Sequence, residues 1–181
     1  MKFITATSDL HGRLNGLDKF LKDIDICIIA GDFAELNGRS SIDIKDQVCW
    51  INTVFVKFLN KFSNVQFVIV PGNHDLCMDE NKVRKMLSNG TDMSIKWPSN
   101  AHVLIDSSCD IDGVKIYGTP WVPAINGTWA FELDNINLKK KFSKIPENID
   151  ILVSHAPPRI EDSLLDCSYD GEGPFGSIEL T

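Results

Sequence analysis

The sequence has no apolar run long enough to cross a bilayer. Its longest apolar stretches, such as ICIIA and FVIV, are strand-sized, whereas a helical span needs about 20 residues. The N-terminal MKFITATSDLHG carries one lysine, and its apolar stretch breaks at Ser8-Asp9, so it does not read as a secretory signal. There is no C-x-x-C pair. Five cysteines, Cys27, Cys49, Cys77, Cys109 and Cys167, are scattered and odd in number. That argues against a disulfide framework and for free thiols in a reducing, cytoplasmic compartment. There is no basic tract either, and the net charge is −7. A general nucleic-acid surface is thereby disfavoured. A small phosphorylated substrate is not, because a bound metal inverts the local field.

What is present suits one globular α/β domain over residues 1–181. Hydrophobic residues make up 43% and charged residues 24%, enough for a substantial core. Residues 2–8 alternate and read as a strand. Leu14, Leu17, Leu21 and Ile24 fall on one face of a helix over 14–24. DICIIA, residues 25–30, is a nearly continuous apolar run that fits a strand covered on both faces. Residues 33–43 read as loop. An amphipathic helix is expected from Ile44 to Phe62, with Ile51, Val54, Phe55, Phe58, Leu59 and Phe62 as its apolar face. VQFVIV follows as a strand. This β-α-β-α-β order argues for a mainly parallel sheet. Beyond it come a short helix over 79–89, a strand over 102–106 and two strands around an Asp112-Gly113 turn. Irregular chain then runs from Trp121 to Asn135, followed by a short helix to Ser143 and a buried strand over 150–154.

Four of these strands end in polar residues of related chemistry. They run into Ser8-Asp9-Leu10-His11, Gly31-Asp32, Gly72-Asn73-His74-Asp75 and His155. In open α/β sheets the carboxyl ends of strands converge on the ligand crevice. Asp9, His11, Asp32, Asn73, His74 and His155 are therefore expected in one place. Carboxylate, imidazole and amide oxygen without thiolate make a hard-to-borderline donor set, suited to Mn, Fe, Zn or a similar divalent ion. Asp9 and His11 lie two apart, so in an extended segment both side chains would point the same way. Gly31 and Gly72 would let the backbone turn sharply and come close to the ion.

In this order, SDLHG (8–12), AGDFAE (30–35), PGNHD (71–75) and SHAPP (154–158) resemble the motifs of the calcineurin-like metallophosphoesterases. AGDFAE, YGTPWVP, NGTWAF and SHAPP are most similar to the subgroup of metallophosphoesterase-domain-containing proteins. The resemblance implies an αββα sandwich of two mixed β-sheets flanked by helices, and two divalent metal ions. Asp9 and His11 would bind the first ion, Asp32 would bridge both, and Asn73 and His155 would bind the second. His74 would face the substrate phosphate and help the leaving oxygen, and Asp75 would orient His74 and favour its charged form. A hydroxide bridging the ions would attack phosphorus, with no side-chain nucleophile. The implied substrate is a small phosphate ester, a diester rather than a monoester, and a nucleotide by analogy with the subgroup.

The family's closing G-H-x-H motif does not occur in these residues. The sequence holds four histidines, and the one left over, His102, lies before a strand in mid-chain and reads as an ordinary histidine. The last residues, FGSIELT, read as the start of a helix. The expectation is a domain lacking the C-terminal part of the family fold, its metal shells completed by water or by a second copy in a homodimer. The alternative is a degenerate member that binds metal or nucleotide without efficient turnover. Glu35 reads equally as a support to the metal site or a solvated loop acid. Arg159 reads equally as a phosphate contact or a surface arginine. Trp121 and Trp129 read as packing beneath a loop rather than as pocket walls.

Overall fold

Alternation along one strand sets the layering. In β2 (Ile26–Ala30) Ile26 and Ile28 face one way, Cys27 and Ile29 the other, and all four are buried. β3 (Gln66–Val70) repeats the pattern, with Phe67 and Ile69 on one face and Val68 and Val70 on the other. A strand apolar on both faces must be covered on both. The computed structural model, which describes residues 1–87, 90–160 and 176–181, shows what covers each face.

The first sheet is parallel throughout, in the order β1 (Ile4–Thr7), β2, β3, β4 (Ala101–Val103). Cys27, Ile29, Phe67 and Ile69 pack against Leu17, Leu21, Ile51, Phe55 and Leu59 from the segments joining the strands. The opposite face packs on a second sheet through Ile111, Ile116 and Val153. That sheet is mixed, in the order β5 (Ser107–Ile111), β6 (Val114–Thr119), β9 (Ile151–Ser154). β5 and β6 are antiparallel, and β6 and β9 parallel. The α/β sandwich expected from the sequence is present, with one sheet parallel and the other mixed. Burying one of these Ile or Phe side chains contributes about 1.5–3 kcal/mol.

The main helix begins earlier than its apolar stripe. Ser40 caps α1 (Ser41–Trp50), and Ser40 and Asp43 form a reciprocal capping box. A π-helical turn over Ile51–Phe55 joins α1 to α2 (Val56–Lys61). The wider turn carries Val54 off the core face, and it is 44% exposed, against expectation. The helix expected over 14–24 is only a 3-10 turn, Leu17–Phe20, because Gly16 and Asp23 both take positive φ. Its apolar residues are still used. Leu17 and Leu21 are buried, and Leu14 and Ile24 pack beside them.

α3 (Glu80–Met86) is capped by Asp79, and the Asp112-Gly113 turn closes the β5–β6 hairpin with positive φ at both residues. Between Trp121 and Asn135, expected to be irregular, β7 (Val122–Pro123) and β8 (Glu132–Leu133) pair in parallel. α4 (Asn135–Phe142) follows. The 178–180 segment forms a 3-10 turn. Cys27, Cys49, Cys77 and Cys109 are free thiols, and Cys167 lies outside the described residues. No helix among the described residues is long and apolar enough to cross a membrane.

Candidate metal centre

The turns after β1 and β2 are laced together by their backbones. The N–H groups of Asp9, His11 and Gly12 donate to the carbonyls of Gly31, Asp32 and Phe33 at 3.0, 2.8 and 3.0 Å. Asp9, His11 and Asp32 take φ values of 55°, 44° and 54°. A left-handed conformation costs a non-glycine residue roughly 1–2 kcal/mol. Asp9 and His11 therefore do not share a face of an extended segment, as the sequence suggested. The kinked turn brings Asp9 Oδ1 to 3.9 Å from His11 Nε2.

Asp32 is the hub. Its carboxylate is buried, with a side-chain exposure of 4%. Oδ2 lies 3.9 Å from Nε2 of both His11 and His74, and Oδ1 lies 3.4 Å from Nε2 of His155. The ligating atoms form two groups that share Asp32: His11, Asp32, His74 and Asp9, Asp32, His155. Oδ1 also accepts the backbone N–H of His74 at 2.8 Å, which fixes the carboxylate's orientation.

His155 enters from the other sheet, at the end of β9. Its Nδ1 donates to the Ala30 carbonyl at 3.0 Å, so the proton sits on Nδ1 and the lone pair on Nε2. That Nε2 faces Asn73 Oδ1 at 2.9 Å and Asp32 Oδ1 at 3.4 Å. With the ring neutral, three acceptor atoms converge, and a cation resolves the conflict. Separations of about 3–3.4 Å are also those between ligands at roughly 2.0–2.1 Å from a shared ion. Nitrogen, carboxylate and amide oxygen fit a divalent metal.

The two glycines serve the convergence. A Cβ on Gly72 would stand 2.2 Å from Asp32 Oδ1, and one on Gly31 would stand 2.0 Å from His155 Nδ1. Only a residue without a side chain lets Asp32 and His155 come this close.

With the site's geometry in place, comparison with known proteins gives a consistent result. The family model described as calcineurin-like phosphoesterase matches residues 4–175. The chain belongs to the calcineurin-like phosphoesterases. A UPF0046 protein of Caenorhabditis elegans is 30% identical over 169 residues, covering 82% of this chain and 40% of the relative. Metallophosphoesterase domain-containing protein 1 of Homo sapiens is 28% identical over 168 residues, covering 84% of this chain and 48% of the relative. The chain spans about half the length of the curated relatives it matches.

In this calcineurin-like phosphoesterase the G-N-H-D turn is held differently from the sequence reading. Asp75 is fully buried and does not hold the His74 imidazole. Its carboxylate accepts the N–H groups of Gly72 at 2.7 Å, Ala34 at 2.9 Å and Phe33 at 3.4 Å. It ties the turn after β3 to the turn after β2. Burial, with the Asp32 carboxylate nearby, pushes its carboxyl up to about 7 against the pull of these amides. The proton affinity of His74 is lowered, chiefly by burial, while Asp32 pulls the other way. The expectation that Asp75 favours charged His74 is therefore corrected: neither its contacts nor the direction of the shift supports it.

Gln47, which the sequence reading missed, is the second brace. It is 1% exposed. Its Nε2 donates to the carbonyls of His74 at 2.7 Å and Glu35 at 3.3 Å, and its Oε1 accepts the Cys77 N–H at 3.0 Å. The one signal was a polar residue one turn before Ile51 on the stripe of a core helix. The two tryptophans part company. Trp121 packs, donating to Asp106 with Lys141 4.0 Å above its ring, whereas Trp129 stacks on His74. His102 bonds Gln66 at 2.8 Å, away from the site. Glu35 and Arg159 are exposed. Burial pushes the Cys27 thiol up to about 12 and raises that of Cys77, so neither suits a nucleophile.

Proposed function

We propose that this chain is a divalent-metal-dependent phosphoesterase that prefers diesters. Asp9, His11, Asp32, Asn73 and His155 would hold two ions, with Asp32 common to both, and His74 would face the phosphate. The observation that carries this reading is the pair of ligand groups sharing Asp32, whose two oxygens are aimed at different histidines. The donor set suits manganese, iron or zinc.

When bound, the ions supply Lewis-acid polarisation of the phosphoryl oxygens and a water made acidic enough to ionise near neutral pH. The chain's own residues do the rest. Asp32 and the Ala30 carbonyl fix the orientations of the His74 backbone and the His155 ring. His74 Nε2 opens onto the site and is placed to give a proton to the leaving oxygen. Burial lowers the proton affinity of His74, so this role requires the negative charge of a bound phosphate to favour the protonated ring. His74 also stands within ligand range of Asp32 Oδ2, so its two possible roles need separating. A phosphate-facing His74 predicts that His74→Ala keeps its metal and loses turnover.

The test is hydrolysis by the manganese-equilibrated chain of bis(4-nitrophenyl) phosphate against 4-nitrophenyl phosphate. The expected result is manganese-dependent cleavage, faster for the diester and abolished by Asp32→Asn. Bound metal without cleavage of either ester would replace this reading with a metal- or nucleotide-binding protein. If a second copy completes the metal shells, manganese shifts the chain from monomer to dimer in sedimentation.

A further inference from the structure

The NGTWAF segment, residues 126–131, contributes no candidate metal ligand, yet it is built around His74. Its backbone is fixed by one carboxylate. Glu132 accepts the N–H groups of Ile125 at 2.6 Å, Asn126 at 2.9 Å and Trp129 at 2.8 Å. Two more bonds tie it to the metal-site turn and the helix that follows. Ala130 N–H donates to the Asn73 carbonyl at 3.0 Å, and Phe131 N–H donates to Asp79 Oδ2 at 2.9 Å.

The product of this bracing is a cluster of His74, Trp129 and Arg39. The indole of Trp129 lies 4.3 Å from the His74 imidazole, with the ring planes 21° apart. The Arg39 guanidinium lies 4.3 Å from the Trp129 ring centroid. Trp129 therefore contacts the His74 ring and the Arg39 guanidinium at once. Arg39 is held in turn by its bond to Thr128 Oγ1 at 2.5 Å.

A histidine that transfers a proton needs its ring fixed, and a carboxylate is the usual means. Asp75 bonds backbone amides instead, and the nearest Asp32 oxygen is 3.9 Å from His74 Nε2. Among the described residues the ring is left with the His11 ring at 4.8 Å and the Trp129 face. We propose that Trp129 is the positioning residue of His74: the indole face, contacted by Arg39, does what a carboxylate partner does elsewhere. The inference rests on the phosphoesterase reading for its kinetic consequence but not for its structural one.

The structural readout is the His74 ring-proton resonance of the whole chain, assigned by its loss in His74→Ala. In the wild type it should be shifted upfield by the indole ring current. Trp129→Leu should remove the shift, and Trp129→Phe should keep part of it. The kinetic readout is kcat against KM for bis(4-nitrophenyl) phosphate. An aromatic pair of ordinary strength predicts a roughly three- to tenfold fall in kcat for Trp129→Leu, largely rescued in Trp129→Phe. KM and manganese content should stay within about twofold, because the indole is neither a ligand nor a proposed substrate contact. A His74 resonance that does not move in Trp129→Leu overturns the stack. A moved resonance with unchanged kcat overturns the positioning role. A wild type that cleaves no ester overturns the phosphoesterase reading and with it the kinetic role, while the resonance still decides the stack.

Discussion

With the His155 ring neutral and its Nδ1–H donated to the Ala30 carbonyl, Nε2 and Asn73 Oδ1 are two acceptors 2.9 Å apart. Asp32 Oδ1 adds a third acceptor at 3.4 Å. A divalent cation should therefore stabilise the fold. At a concentration 100 times its Kd, an ion adds about 2.7 kcal/mol, or a rise in Tm of roughly 5–10 °C for a chain of this size. Calorimetry with manganese and then with excess chelator checks this. An unchanged Tm would remove the metal from the site.

Asp32→Asn should lower the loading of both ions, because both ligand groups include this residue. Asp9→Ala should empty mainly one, because Asp9 belongs to a single group. Elemental analysis of the purified variants decides, and loss of one equivalent in Asp32→Asn would end its assignment as the shared ligand.

Gly72→Ala would set a methyl carbon 2.2 Å from Asp32 Oδ1 and 2.5 Å from the Asp32 nitrogen. The backbone cannot yield as a flexible side chain would. The variant should lose about 1–3 kcal/mol in urea unfolding, as overpacked sites do, together with much of its metal. Native stability with full loading would show that Asp32 has room to move.

Stability without metal should depend on pH through Asp75. Its carboxyl, at about 7 in the folded chain, lies above the ordinary value of 3.8. Between these values the folded chain holds a proton that the unfolded chain has lost. The contribution of Asp75 to stability is therefore greatest below about pH 4, falls as pH rises to about 7, and is flat above it. The full change is on the order of 4 kcal/mol. Asp75→Asn removes the slope but also replaces an acceptor with a donor against backbone amides, so its stability should be low at every pH. Denaturant midpoints in chelator from pH 4 to pH 8 test the sign. A wild-type midpoint that does not fall relative to that of Asp75→Asn across this range would contradict it.

The site was more legible in the sequence than the elements around it. Asp9, His11, Asp32, Asn73, His74 and His155 announce themselves because polar residues at the ends of apolar strands have few structural explanations. How they meet was not legible. The left-handed turns at Asp9 and His11 depend on backbone bonds to Gly31 and Asp32, which no local pattern encodes. Nor could spacing say that Asp75 would turn to the amides of Ala34 and Gly72, since that choice is made by burial. The 14–24 segment shows a related limit. Its apolar period correctly marks what is buried, but positive φ at Gly16 and Asp23 prevents the helix that the period suggests. Of the two tryptophans, only the surrounding fold decides which packs and which reaches the site.

The candidate ligands are unevenly divided between the two sheets. Asp9, His11, Asp32 and Asn73 follow strands of the parallel sheet, whereas His155 alone follows β9 of the other. An ion held by both groups would act as a rivet through the sandwich. β9 could then separate from its neighbours only after His155 let go, so the amides of residues 151–154 should exchange with solvent far more slowly when metal is present. The same joint would make the centre a gauge of how the halves are seated. A change at the Ile28–Val153 packing face, remote from the chemistry, would be felt first as a looser grip on the ion.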